Sequence, residues 1–291
     1  MTYYEELSLF ARRKLSSHIF HPWKMRVLFS RQDDWEPRIR HGFRYSRHEL
    51  TFGHMTAENV VGRDLVVPMS IDDILDLDEI RHLIADNPIP IPTRESVLLC
   101  DDKYLFNKTL AENRFGDLIP RMGEGLRYPY ILKKKIDCWG ENSHIVQGRE
   151  QEQNLDGLLS NPDYYRQELV YGKKEYATHI LRARGRIVHF INIEYVFDKD
   201  IYIKGKDPAS DIRRTAGCPY LDLFSSVLES IGFEGLCCFN YKVADGRPRL
   251  IEINPRFGGS LCGFFHTFLE YFWRAHPEMF KKKETEIPGK G

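Results

Sequence analysis

Two oxygen-bearing side chains, Glu252 and Asn254, stand two residues apart in the string LIEINPRFGGS at positions 250–260. Leu250, Ile251 and Ile253 are strand formers, and side chains two apart on a strand share a face. The pair therefore presents hard oxygen ligands side by side. Upstream, GLCCFNYKV at 235–243 reads as another strand, and the intervening ADGRP carries an Asp-Gly hairpin signal. A loop with an odd number of residues centred on Gly246 would set Asn240 opposite Glu252. Three oxygen donors would then converge, with Arg256 and two glycines just beyond. Such donors suit Mg2+, and Mg2+ held by few protein ligands usually implies bound phosphates. For E-x-N alone, a half-buried hairpin with a polar wet face is the plainer alternative.

Elements must exist to hold these residues, and 291 residues can bury a core and build two or three lobes. Lysine plus arginine and aspartate plus glutamate both number 42, so net charge points to neither nucleic acid nor a membrane surface. No apolar run is long enough to span a bilayer. The opening MTYYEELSLFARRKL lacks the basic-then-apolar order of a signal peptide. The six cysteines form no C-x-x-C pair, which argues against a zinc site and a disulfide framework. A reduced, cytoplasmic enzyme is the expectation.

Along the chain, residues 3–16 have helical spacing, 25–30 and 64–70 read as short buried strands, and a helix follows over 71–85. This alternation suggests a small, mostly parallel α/β unit, ended by the proline-rich connector NPIPIPT at 87–93. ESVLLCDDKYLFNKTLAENRF reads as a strand turning helical near Asp101. PYILKKK at 129–135 is a strand, 165–197 holds at least two strands, 198–218 is polar and loop-like, and 219–233 is a helix stopped at Gly232. An aromatic-rich helix and the tail KKKETEIPGKG close the chain.

An amide or acid on one strand followed by E-x-N-P-R on the next resembles the end of an ATP-grasp domain. The resemblance covers about 101–265, with the motifs in the family's order. It implies that Lys103 contacts nucleotide phosphates and that Lys133, in PYILKKK, lies on the α-phosphate side. Lys134 stands where the family usually has proline, so Lys135, on the same strand face, stays an open alternative. CWGENSHIV at 138–146 occupies the place of the phosphate loop, where Gly140, Asn142 and Ser143 could offer backbone N–H groups. Glu168, Leu169 and Val170 match the hinge that reads adenine, and Glu175 the acid that accepts from ribose hydroxyls. Asn240, Glu252 and Asn254 become metal ligands, with Asn240 in place of the commoner aspartate. Arg256 would stabilise charge on the transferring phosphoryl group. In the basic loop around 199–214, Lys204 or Arg213 would close on phosphates and substrate, beside Lys206 and Arg214. His179 and His189 are taken as structural.

The expected fold is α/β, with α+β lobes: an N-terminal parallel α/β domain over 1–100, an ATP-grasp domain over 101–280, and a flexible tail over 281–291. A mobile lid at about 118–167 would close ATP against the C-terminal lobe. The expected activity is ATP-dependent ligation of a small-molecule carboxylate to an amine, with Mg2+ or Mn2+. The chain would act without nucleic acid or membrane, and a homodimer is allowed. A kinase-like transferase, a carboxylate–thiol ligase and a non-catalytic nucleotide-binding protein are the alternatives. Glu252→Gln is expected to stop turnover and leave the fold nearly unchanged.

Overall fold

The computed structural model describes residues 24–278. The helix expected over 3–16 and the tail at 281–291 lie outside the described residues. The chain divides into two compact units, Met1–Ile91 with Arg256–Gly291, and Pro92–Pro255.

In the first unit, β1 (Arg26–Ser30) lies between β2 (Glu49–Gly53) and β3 (Leu65–Val67), parallel to both. Val27, Leu28 and Phe29 are fully buried, as expected of a central parallel strand covered on both faces. Helix α1 (Glu36–Gly42) follows β1, and the single-turn α2 (Ala57–Val60) follows β2. Helix α3 (Ile71–Glu79) starts at a capping box, in which Asp73 N–H donates to Ser70 Oγ and Ser70 N–H donates to Asp73 Oδ2. A 3-10 turn at Arg81–Ile84 completes the segment expected to be one helix.

The sequence expectation carried the second domain through residue 280. Instead, the chain from Arg256 onward groups with the first unit. Aromatic packing is the reason: Phe257 and Phe265 set their rings 6.3 and 5.7 Å from Phe29. The last helix of the described residues (Phe265–Ala275) buries Phe265, Phe268, Leu269 and Phe272, one apolar stripe at helical spacing.

The second unit opens with two helices, α4 (Arg94–Asp101) and α5 (Lys103–Glu112). The expected strand at its start is therefore corrected to helix. Thr93 Oγ1 accepts from Ser96 N–H at 3.3 Å and starts the helix just after the proline-rich connector. Asp102 Oδ1 then caps α5 by accepting from Leu105 N–H at 2.9 Å. A three-stranded antiparallel sheet follows, with β4 (Tyr130–Lys134) between β5 (His144–Val146) and β6 (Tyr164–Glu168). Two short helices, α6 (Arg149–Asn154) and α7 (Asp156–Leu159), connect β5 to β6.

The larger sheet has the order β11-β10-β7-β8-β9 and is antiparallel throughout. Its strands are β7 (Lys174–Ala183), β8 (Arg186–Val196), β9 (Asp211–Arg214), β10 (Gly235–Ala244) and β11 (Arg247–Asn254), with α8 (Leu221–Ser230) before β10. The strand β9 corrects the loop expected across 198–218; its residues are all exposed, so no apolar alternation marks it in the sequence. One sheet face is dry: Phe239 stacks on Phe224 at 4.4 Å, and Ile180, Tyr241, Leu250 and Ile253 join Phe106 and Leu110 in the same core. The opposite face carries the polar residues considered below.

Candidate functional site

The β10–β11 turn differs from expectation in a way that fixes the site. The loop is the two-residue Asp245-Gly246, since Ala244 pairs with Arg247, and both loop residues have positive φ, 52° and 73°. That is the turn whose twist matches antiparallel strands. An even loop alone would put Asn240 out of register with Glu252. A β-bulge corrects this: Tyr241 pairs with Leu250, Asn240 pairs with Glu252, and Ile251 is the extra residue. Asn240 and Glu252 thus face each other by a different route from the one expected.

Glu252 Oε1 accepts from Asn240 Nδ2 at 2.8 Å and from Asn254 Nδ2 at 3.0 Å. The three residues expected as co-ligands are together, but the two amides act as donors to the carboxylate. This corrects the simple three-oxygen cluster. A lone ionised carboxylate is the strongest acceptor present, so the amides turn their N–H groups toward it. Among the described residues Glu252 Oε2 has only an ion pair with Lys103 Nζ at 3.6 Å, and remains the oxygen open to a cation. Burial pushes the Glu252 carboxyl up, but Lys103, Lys133 and the two amides outweigh it and bring its pKa to about 2.

The lysines come from different elements. Lys103, at the start of α5, also donates to the Asp137 carbonyl. Lys133 is 5% exposed on β4; its ammonium donates to Gln167 Oε1 at 3.2 Å and Ile251 O at 3.4 Å. Burial lowers its pKa to about 8 despite the pull of Glu252. Lys135 goes elsewhere, its ammonium 5.2 Å from the centre of the Tyr104 ring. Of the two alternatives, Lys133 is the one beside Glu252.

Glu175 pairs with Lys204 Nζ at 3.1 Å, and Lys204 also donates to Asn240 Oδ1 at 2.9 Å and lies 4.5 Å from the centre of the Tyr195 ring. Register explains the meeting: Glu252, Asn240 and Ala177 occupy one cross-strand row, with Glu175 two residues from Ala177 on the same face. The expected hinge is held at both ends. Glu168 N–H donates to Arg121 O at 2.7 Å, while the Val170 carbonyl accepts from Lys242 Nζ at 2.9 Å. Leu169 between them is buried, and the Glu168 carboxylate meets Arg249 Nη2 at 3.4 Å.

Ser143 is buried, and its carbonyl accepts from Lys206 Nζ at 2.8 Å, joining the 138–143 loop to the basic loop. Gly205 makes that junction possible. Its φ is +105°, and a Cβ there would lie 1.9 Å from Trp139 O. Gly205→Ala should therefore force the loops apart and cost about 1–3 kcal/mol, the scale of overpacking. Urea melts of the two proteins check this.

Arg213 is not at this site. On β9 it pairs with Glu194 and donates to Glu194 Oε1 through Nε at 2.7 Å. Glu194 stands opposite Tyr176, one residue out of phase with Glu175 and Ala177, so Arg213 belongs to the other sheet face. Arg213→Ala should change nucleotide affinity by no more than about twofold, as expected for a site without shared partners; calorimetry checks this. Arg256 falls in the first unit, where its Nη1 donates to Phe257 O at 3.0 Å. His179 is buried, with Nε2 3.8 Å from Cys238 Sγ.

Two residues at the site were not singled out from sequence. Lys242 is buried between the Val170 carbonyl and the Tyr202 ring, whose centre is 3.8 Å away, and burial lowers its pKa to about 8 against the pull of Glu175 and Asp200. Its signal was its place two residues beyond Asn240 on one strand face. Gln167 shares a β6 face with Tyr165, and its Nε2 is buried without a hydrogen-bond partner. Among the described residues no group of three or more His, Cys, Asp or Glu could hold a metal, and no helix is long and apolar enough to cross a membrane. All six cysteines are free thiols.

The fold is shared with solved enzymes. D-alanine–D-alanine ligase from Bacillus anthracis, solved in complex with ATP, matches with 13% identity and TM-score 0.53, over 88% of this chain and 98% of that one. L-amino acid ligase from Bacillus licheniformis matches with 14% identity and TM-score 0.58, over 83% and 69%. Phosphoribosylamine–glycine ligase from Thermotoga maritima matches with 15% identity and TM-score 0.61, over 85% and 75%. No curated protein matches the sequence. Residues 100–260, over half of the chain, match the ATP-grasp domain, and the chain belongs to the ATP-grasp family.

Proposed function

We propose that this protein is an ATP-dependent ligase that joins a small-molecule carboxylate to an amine, releasing ADP and phosphate. The observation that carries the reading is a buried cluster of donors gathered around Glu252, one of them without an acceptor. Lys133 is buried with its charge incompletely compensated, and Gln167 Nε2 beside it has no partner. Lys103 adds a further ammonium. Buried polar donors without acceptors are costly, and phosphate oxygens would satisfy them.

In this reading Lys103 and Lys133 bind phosphates, and Glu175 accepts from the ribose hydroxyls beside its ion pair with Lys204. The hinge at 168–170, held by Arg121 and Lys242, offers backbone to adenine. The donor set fits a divalent ion accompanied by phosphates, with Glu252 Oε2 as the principal protein ligand. Mg2+, or Mn2+ in its place, would neutralise phosphate charge when bound. The substrate carboxylate would attack the γ-phosphorus, and the amine would displace phosphate from the acyl phosphate. The 138–143 and 203–206 loops would exclude water from that intermediate. The names of the ligases sharing this fold support the amide-forming outcome.

The test is ADP release and product mass spectrometry on a panel of amino acids and other carboxylates, with and without amines. Amine-dependent ADP release with an amide product is expected. A phosphorylated or thioester product, or no Mg2+-dependent turnover across the panel, would overturn the reading.

A further inference from the structure

We propose that this site carries a built-in cation: the Lys204 ammonium occupies the position at Asn240 where a second divalent ion would bind, so the nucleotide is held with one metal, at Glu252. The inference rests on the nucleotide-binding reading above.

The orientation of the Asn240 amide is set from both ends. A carboxylate can only accept, so the group 2.8 Å from Glu252 Oε1 must be Nδ2. An ammonium can only donate, so the group 2.9 Å from Lys204 Nζ must be Oδ1. The one oxygen Asn240 could give a metal is therefore already bonded to a positive charge. A divalent ion on that oxygen would stand about 2 Å from it, close to the ammonium, and in a partly buried site two such cations repel strongly.

Lys204 is also pinned. Glu175 holds the ammonium at 3.1 Å and Tyr195 faces it at 4.5 Å, leaving its side chain 25% exposed. The next residue, Gly205, abuts Trp139 O closely, and Lys206 donates to Ser143 O, so the backbone on the far side is anchored as well. Glu252 Oε2 contrasts with this. Among the described residues it accepts no hydrogen bond, and its ion-pair partner Lys103 stands at 3.6 Å and donates to a carbonyl instead. One oxygen is open to a metal and the other is filled. The arrangement also accounts for an amide at position 240. An aspartate there would put a second carboxylate within 2.8 Å of Glu252, where Asn240 now supplies a donor.

Phosphoryl transfer commonly uses two divalent ions to neutralise the β- and γ-oxygens. Here an ammonium, a compact point charge, would stand for one of them. The test counts Mn2+ retained per protein by electron paramagnetic resonance, with a non-hydrolysable ATP analogue whose own binding is read by calorimetry. The expected count is one for wild type, one for Asn240→Asp because Lys204 neutralises the new carboxylate, and two for Asn240→Asp with Lys204→Met. Two ions in wild type or in Asn240→Asp alone would overturn the proposal, as would one ion in a double variant that still binds the analogue. Wild type that binds no analogue would overturn the nucleotide reading as well. Analogue bound with two ions would overturn only this one.

Discussion

Glu252→Gln should abolish metal-dependent turnover and also weaken the fold, by about 2–3 kcal/mol at pH 7. The carboxylate is the only full negative charge among Glu252, Asn240 and Asn254, so its loss removes most of the metal affinity. It also balances Lys103 and Lys133, and removing one member of a buried ion pair typically costs about 3–5 kcal/mol. The lower figure applies because the Glu252 side chain keeps 22% exposure. The pH dependence has a definite sign. A carboxyl lowered from 4.5 to about 2 contributes stability above pH 4.5, and that contribution is lost as pH falls through 2. The stability gap between wild type and Glu252→Gln should therefore close on acidification across that window. Urea melts at pH 7, 4 and 2.5 measure it. Equal stability at pH 7 would return Glu252 to the uncoupled role expected from the sequence alone, in which the fold was untouched.

The sequence made some of this site legible and hid the rest, for identifiable reasons. Period-two alternation put Glu252 and Asn254 on one face, and the Asp-Gly pair located the turn. Local patterns cannot count residues across a bulge, so the pairing of Asn240 with Glu252 was reached through a loop length that the structure does not have. The choice between Lys133 and Lys135 was open because both lie on the same side of the strand. Packing separates them: Lys133 lies inside against Gln167, and Lys135 lies over Tyr104. Lys204 and Arg213 looked alike in a basic loop. Sheet register distinguishes them, because β9 carries Arg213 to Glu194 while the preceding turn carries Lys204 to Glu175. The hardest residues to see were those made important by distant partners. Lys242 meets the carbonyl of Val170, and Gln167 meets Lys133, across separations that no local pattern encodes.

The fold boundary has the same origin. After Asn254 the chain runs through Pro255 and two glycines into the aromatic-rich helix, and Phe257 and Phe265 pack with Phe29. Hydrophobic residues identify what must be buried but not which core receives them, and a helix with one apolar stripe fits more than one partner. Two strands of the N-terminal parallel sheet, β1 and β3, were readable because buried strands of this kind are continuous apolar runs, as VLF and LVV are, whereas the half-exposed β2 (ELTFG) was not read.

Lys133→Met should lower nucleotide affinity by about 10- to 100-fold, the scale of a charged hydrogen bond, while leaving stability at pH 7 unchanged or raised. These two effects oppose each other because the lysine is placed for a ligand rather than for the fold. Burial lowers its pKa to about 8 from 10.5. Between those values the unfolded chain binds more protons at this position than the folded one, so wild-type stability at this residue rises with pH. Methionine has a similar length, carries no charge and removes that penalty. Affinity should change in the reverse sense. Bound phosphates favour the ammonium, so wild-type binding should weaken as pH rises past about 8. Lys133→Met should show a shallower alkaline fall, with Lys242 supplying what remains. Lys135→Met should bind like wild type, because its ammonium lies over the Tyr104 ring. Calorimetry across pH 6.5–9.5, with urea melts of the same samples, resolves all three expectations. A Lys133→Met protein that binds nucleotide normally, beside a Lys135→Met protein that does not, would move the phosphate contact two residues along the chain, just past the end of β4, and detach it from Glu252.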